Sequence, residues 1–578
     1  MRLLALVLLA ASTAAAQTQR FDYVILGGRV LDGTGNPWYR ADVGITGDRI
    51  TAIGDLKSAK ASRVIDAKGQ FVTPGFIGLH EHIERGILDG KGRHVPNYTT
   101  QGFTTAVINA DGRSMVWPLR RQRDSLNRLH HALNLVPMVG HGTVRELAMG
   151  ESPAQLMREA TPAELAKMQD LVREGMRDGA FGLSTGLEYA PMRYSSTEEV
   201  IALAKAVHEF GGHVQAHMRS QGRYPKWQLP SHMSHPTQKH VDWMDAIEEG
   251  ITVAREAKVP FWFDHIHAKG PREWGVSKPT VEAIARAWQE GLQIYTNMHS
   301  YDGYQESVTL VPRWALAKQE VPGMSMSDDF PPVDYTGMRE NLERNLADPV
   351  KRKMLEEDIA YEVDRQGGPG GLLIVDFPDR SLVGKTLTDV ARIHGQDNRS
   401  DGQTVRQSDV AAAVIWLARH GYPNRRGGVG WMMRAIGFVD IEEWMQHDWN
   451  GVSLDRGWDE GEGCDAYTHP GTYGTSGRLI RMFAMDKKTI TLPYAIRSLT
   501  SAGAQALGLT DRGLLREGML ADVVVFDPER IRSDATYLNP CVDQVGINFV
   551  LVNGTVVVDN GKPTDALPGR VLVPERRR

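Results

Sequence analysis

Phe71-Val72-Thr73-Pro74-Gly75-Phe76-Ile77-Gly78-Leu79-His80-Glu81-His82 is an apolar run that ends in a His-x-His pair. Side chains two apart on a strand face the same way, so both imidazoles can reach one ion. In a parallel barrel the C-terminal strand ends converge on one rim, and a His-x-His pair there is a natural start for a metal site. Two further strand-like segments end alike: 211–216 closes on His217, and Phe261-Trp262-Phe263-Asp264 closes on His265. A lone histidine at a strand end is more often a hydrogen-bonding partner within the fold. Four converging on one rim reverse that reading. Asp111, after the apolar stretch 104–108, and Asp455, after Gly451-Val452-Ser453-Leu454, can each cap a turn. With the histidines they complete a carboxylate and imidazole set suited to one or two zinc ions.

Outward from this run, strand–helix alternation continues for several hundred residues. Ala180-Phe181-Gly182-Leu183 precedes a helix expected over 197–210, which opens Ser196-Thr197-Glu198-Glu199. Such alternation predicts a parallel α/β barrel. The stretch 310–448 breaks the rhythm and reads as a large insertion over the barrel mouth. Both ends of the chain differ from the middle. Tyr23-Val24-Ile25-Leu26, Asp42-Val43-Gly44-Ile45 and 49–53 are β-branched runs between Gly-rich turns, and 521–526, 548–552 and 555–558 repeat that texture around Asn553-Gly554, a hairpin signal. The expected organisation is 1–16 as a signal peptide, 17–73 and 511–578 as a small β-sandwich built from both termini, and 74–510 as the barrel with its insertion.

Composition narrows the function. Lys plus Arg number 66 against 71 Asp plus Glu, for a formal charge of −5, which excludes a nucleic-acid binder working through a broad basic field. Hydrophobic content of 41% suits a soluble globular protein. Two cysteines, Cys464 and Cys541, exclude a disulfide framework and a thiolate metal cluster. Arg2, the apolar run 3–11 and Ala14-Ala15-Ala16 form a secretory signal with a mature start at Gln17, so the expectation is a periplasmic or secreted protein with no membrane span once processed. A small-molecule substrate is expected, and a homo-oligomer is compatible with the reading.

The string of motifs resembles the amidohydrolase superfamily and, within it, the D-aminoacylase (N-acyl-D-amino-acid deacylase) family. Val64-Ile65-Asp66-Ala67, Thr73-Pro74-Gly75-Phe76-Ile77, the His80/His82 pair and Gly140-His141-Gly142-Thr143-Val144-Arg145 carry it. So do Gly182-Leu183-Ser184-Thr185-Gly186-Leu187-Glu188-Tyr189, His217-Met218-Arg219-Ser220, Asp264-His265, 511–518 and 521–526. The resemblance implies a distorted (β/α)8 barrel with a β-sandwich, and amide hydrolysis by metal-activated water. By it, His80 and His82 hold one ion, His217 and His265 the other, and Asp455 binds the first ion and shuttles the proton. The family's bridging ligand is a cysteine. Asp111 stands near that place here, with Glu188 as the rival bridge.

On the substrate side the chain departs from the family. Gly471 follows His469-Pro470 where the family has an arginine, His267 replaces a lysine, and Met298-His299-Ser300 replaces Tyr-Pro-Tyr. Tyr189, Arg219, His267, His299 and His469 are the candidate substrate contacts. With those anchors lost and Trp416, Trp431, Trp444, Trp449 and Trp458 expected near the mouth, the sequence predicts bulky hydrophobic amides in preference to free-carboxylate N-acyl-D-amino acids. Arg219, Arg193 and Lys269 are the cations that would reverse this. The segment 224–241 adds Trp227, His232, His235 and His240, read as a solvated loop. Two other functions compete: a serine hydrolase using Ser184 in Gly182-Leu183-Ser184-Thr185-Gly186, and a catalytically silent metal- or ligand-binding protein disabled at Asp111.

Overall fold

The computed structural model describes residues 20–225, 241–304, 309–319, 333–394, 406–458, 464–465 and 467–575. In it the opening apolar run is two strands. Phe71–Pro74 joins the terminal sheet and Phe76–Gly78 starts the barrel. The break falls at Gly75, where a Cβ would stand 2.2 Å from Thr104 Oγ1. The break lies beside the boundary expected between 73 and 74, and His80 and His82 lie just beyond the second strand.

Parallel pairing joins Phe76–Gly78, Phe103–Ile108 and Asn134–Pro137 in one ladder. A second ladder runs Val139–Gly140, Gly182–Gly186, His213–His217, Phe261–Phe263, Ile294–Met298 and Asn450–Val452. Only Met138 separates Pro137 from Val139, and its N–H donates to Ile108 O. At the opposite seam Leu79 N–H donates to Val452 O at 3.1 Å. The strands so joined form the distorted (β/α)8 barrel.

Amphipathic helices cover it. Thr197–His208 is capped by Ser196, whose side chain accepts from Glu199 N–H, and it buries Val200, Leu203, Ala204 and Val207, the i, i+3, i+4, i+7 spacing of one helical face. Full burial of each larger aliphatic chain there stabilises by roughly 1.5–3 kcal/mol. The helix ends two residues before the expected Phe210, and the chain then turns through Gly211, which has φ +69°.

The termini build one nine-stranded sheet. Its order runs Lys562–Pro563, Thr555–Asp559, Ile547–Val552, Val523–Phe526, Phe71–Pro74, Arg20–Val30, Tyr39–Thr46 and Arg49–Gly54, with Lys60–Asp66 pairing beside Arg20–Val30. Ile25, Val43, Ile45, Val523, Val525 and Leu551 fill the core of this β-sandwich domain. Asn553 and Gly554 both have positive φ, as a two-residue hairpin turn requires.

Between Ile294–Met298 and Asn450–Val452 the chain forms several helices and an antiparallel pair, Leu372–Asp376 with Gly430–Met433. This segment touches the barrel rim through Ile436 opposite Lys269, and within it Tyr304 bridges to Met433. Cys464 and Cys541 form a disulfide with Cα atoms 5.9 Å apart, a single staple rather than a framework. Among the described residues, no helix is long and apolar enough to cross a membrane. The segment 1–16 and residues Trp227, His232, His235 and His240 lie outside the described residues.

Candidate metal centre and active site

Strand ends deliver the expected ligands to one place. Asp111 Oδ1 lies 3.6 Å from His80 Nε2, 3.9 Å from His217 Nδ1 and 4.0 Å from His265 Nε2, and its Oδ2 lies 3.7 Å from His82 Nε2. Asp455 Oδ1 stands 3.3 Å from His82 Nε2 and 3.8 Å from His80 Nε2. Two overlapping groups, His80–Asp111–His265 and His80–His82–Asp455, bring ligand atoms within reach of single ions. Asp111 sits among all four histidines, so a carboxylate there can join two ions.

The backbone is bent to achieve this. Asp111, His265 and Asp455 have φ of +52°, +32° and +56°, in the left-handed region that residues with a Cβ rarely adopt. Such conformations cost energy and cluster where function needs a side chain re-aimed. Each of these three leaves its strand end and turns its side chain toward the common centre.

Other side chains set the imidazole orientations. Asp264 Oδ2 lies 2.9 Å from His80 Nδ1, and Asn297 Nδ2 donates to the other oxygen of Asp264. Glu188 Oε2 lies 2.9 Å from His217 Nε2, and Gln221 Nε2 is 3.1 Å from His265 Nδ1. The Asp264 and Glu188 contacts each put an acceptor on one ring nitrogen and leave the other to the centre, the usual way a protein fixes the tautomer of a ligating histidine, while the Gln221 amide holds the ring of His265 in place. Glu188 thus lies against the ring nitrogen of His217 that faces away from the centre, whereas Asp111 stands between the histidines. Glu81, between the two leading histidines, accepts from Leu454 N–H at 2.9 Å and lies 2.7 Å from the Tyr98 hydroxyl, tying the first and last strand ends together. Sequence reading missed Glu81 and the orienting role of Asp264. The signal for both was adjacency to a ligand.

Charge follows geometry. Burial opposes a proton on His80, but Asp264, Asp111 and Asp455 outweigh it and push that imidazole up to about 10. Burial likewise opposes ionisation of Asp111 and Asp455, yet the surrounding histidines hold both carboxyls far below the usual range. Burial pushes Glu81 up to about 7. The donor set fits a divalent ion: a dense cluster of imidazoles and ionised carboxylates, with Asp111 Oδ1 buried and lacking a hydrogen-bond partner.

Beside this centre is a cavity of about 170 Å³ lined by Asp111, Asp455, His217 and His265 together with Tyr189, His267, Lys269, His299 and Arg456. Of the expected substrate contacts, Tyr189, His267 and His299 line it. Arg219 does not: its guanidinium forks onto Glu249, and Nη1 donates to Arg193 O. His469 is withdrawn as well, with Nε2 on Gly303 O and Nδ1 accepting from Gly471 N–H. The tryptophan-lined mouth is also corrected. None of the five lines the cavity; Trp444 packs on Trp243, Trp416 between His394 and His420, and Trp458 against Gly86. Sequence shows that they are apolar, but the neighbours each one packs on are set by the fold. Ser184 lies mid-strand with its hydroxyl donating to Asn109 O and accepting from Gly112 N–H, so it braces the loop that carries Asp111.

The amidohydrolase family model matches residues 63–292 and 407–558. The chain is 29% identical over 580 residues to the D-aminoacylase of Alcaligenes xylosoxydans xylosoxydans, covering 96% of this chain and 98% of that one. It is 27% identical over 576 residues to the N-acyl-D-glutamate deacylase of the same organism, covering 96% and 97%. Among solved structures, a crystal structure of D-aminoacylase aligns with a TM-score of 0.69 at 27% identity, covering 96% of this chain and 100% of that one. The N-acyl-D-glutamate deacylase of Bordetella bronchiseptica, complexed with zinc and a phosphonate mimic of the tetrahedral intermediate, aligns with a TM-score of 0.70 at 25% identity and the same coverage.

Proposed function

The chain belongs to the amidohydrolase family and is a metal-dependent amide hydrolase, and we propose that it uses zinc to hydrolyse N-acyl amino acids outside the cytoplasm. The observation that carries the metal chemistry is the position of Asp111, within 4.0 Å of a ring nitrogen of every one of the four histidines. His80, His82 and Asp455 would hold one ion, His217 and His265 a second, with Asp111 between them. A divalent ion so held supplies the charge that polarises a carbonyl and makes water acidic enough to attack near neutral pH. Asp455, ionised at neutral pH and facing the cavity, takes the proton of the attacking water and returns it to the leaving nitrogen. His217 and His265 stay in register through Glu188 and Gln221.

The same geometry bears on the rival readings. A serine nucleophile needs a base within hydrogen-bond reach, whereas the Ser184 hydroxyl is engaged with the backbone of the Asp111 loop. A silent binding protein would follow if a carboxylate could not bridge, yet hard oxygen ligands bridge divalent ions readily. Export is supported by the N-terminal pattern and by the Cys464–Cys541 bond, since disulfides persist mainly in oxidising compartments. The preference for bulky hydrophobic amides loses the part of its support that came from the tryptophans, because none of the five lines the cavity. Metal analysis of the purified chain, with turnover of a panel of N-acyl amino acids before and after chelation and zinc add-back, tests the proposal. Metal-free protein with full activity would overturn it.

A further inference from the structure

Arg456 follows Asp455 directly and lines the same cavity. Its Nη1 donates to Asp455 O at 2.7 Å, while Nε and Nη2 are buried and have no partner among the described residues. Those two nitrogens form one edge of the guanidinium, where two N–H bonds run parallel and match the two oxygens of a carboxylate. Its own backbone is held firmly, with its carbonyl accepting from His82 N–H and lying 2.6 Å from the Tyr98 hydroxyl. A buried guanidinium edge without an acceptor is costly unless a ligand completes it.

The neighbouring residues narrow the ligand. His267 is 2% exposed, and its Nε2 accepts from His299 N–H, which places its proton on Nδ1, another buried donor without a partner. The other cations are engaged elsewhere: Lys269 Nζ sits 4.0 Å over the Tyr304 ring, and Arg219 is forked onto Glu249.

We infer that Arg456 is the specificity residue of this site, docking a substrate carboxylate side-on through Nε and Nη2 beside Asp455. This rests on the amidohydrolase reading and names the residue of this chain that takes the carboxylate of an N-acyl amino acid. It reverses the expectation drawn from Gly471 and His267, because the cation arrives from a different backbone position.

The test uses N-methylsulfonyl-leucine and its carboxamide, both enantiomers, as probes that cannot be turned over. Calorimetric titration into the zinc-loaded full chain should show one enantiomer of the acid binding at least about tenfold tighter than its amide. Arg456→Met should abolish that difference while leaving amide affinity within about twofold. Arg456→Lys, which keeps the charge but not the fork, should retain part of it. Equal binding of acid and amide to the native chain would overturn the inference, as would an acid preference that survives in Arg456→Met. Equal losses for both probes in Arg456→Met would overturn it too, since that marks a residue that only positions Asp455. Failure of the native, zinc-loaded chain to hydrolyse N-acetylleucine tells against the amidohydrolase reading alone, because the titration needs no turnover.

Discussion

Glu188 Oε2 lies 2.9 Å from His217 Nε2, and this contact turns His217 Nδ1 toward Asp111. A carboxylate that the sequence offers as a bridge thus lies on the far side of the His217 ring from Asp111. Glu188→Gln should leave the fold intact and lower affinity for the ion on the His217 side by about 10–100-fold, the usual effect of losing such a partner. Competition with a chromophoric chelator reads it. Unchanged affinity would return Glu188 to a packing role.

Asp455→Asn should keep at least one ion and most of the stability while losing roughly 10²-fold or more in kcat, the scale of a general acid–base group. A variant that turns over almost normally moves the proton transfer to another carboxylate, Asp111 first.

Metal binding should be strongly pH-dependent. With His80 pushed up to about 10 in the metal-free chain, an ion entering at pH 7 must displace its proton. Affinity therefore rises with pH, by about tenfold per unit for each proton displaced. Zinc titrations at pH 6, 7 and 8 in two buffers of different ionisation heat measure both the slope and the protons released. A flat profile would contradict this charge distribution.

Acid should destabilise the barrel's junction with the C-terminal segment. Burial lowers His131 to about 4, its Nδ1 lies 2.6 Å from Leu133 O, and its carbonyl accepts from Gly569 N–H. The folded value lies below the ordinary 6.5, so the neutral ring's contribution is present above pH 6.5 and is lost as pH falls toward 4. The loss is on the order of 3 kcal/mol. Melting curves for the native chain and His131→Gln should converge as pH falls from 7 to 4.5. Parallel curves would assign the acid loss to other groups.

Much of this protein could be read without its structure. The β-branched runs at both ends, the Asn553-Gly554 turn and the strand–helix alternation are local patterns. Strand formation and helical periodicity depend on neighbours a few residues apart, so they survive in one dimension. The same holds for His80, His82, His217, His265, Asp111 and Asp455, each placed where an apolar stretch runs out. What a sequence cannot carry is the direction of a side chain across a barrel. Which ring nitrogen of His217 faces Asp111 depends on Glu188, 29 positions earlier and brought alongside only by the fold. The division of 71–79 at Gly75 depends on Thr104 approaching from the next strand. Trp444 and Trp416 pack on neighbours distant in the chain, and none of the five tryptophans lines the cavity. Arg456 reaches the cavity because Asp455 leaves its strand with a left-handed φ, a backbone choice imposed by the convergence of strand ends and invisible in the order of residues. The residue types and their place at strand ends follow from the sequence alone, because they rest on local pattern. Which of them meet, and through which atoms, only the closed barrel decides, because those contacts join residues far apart along the chain.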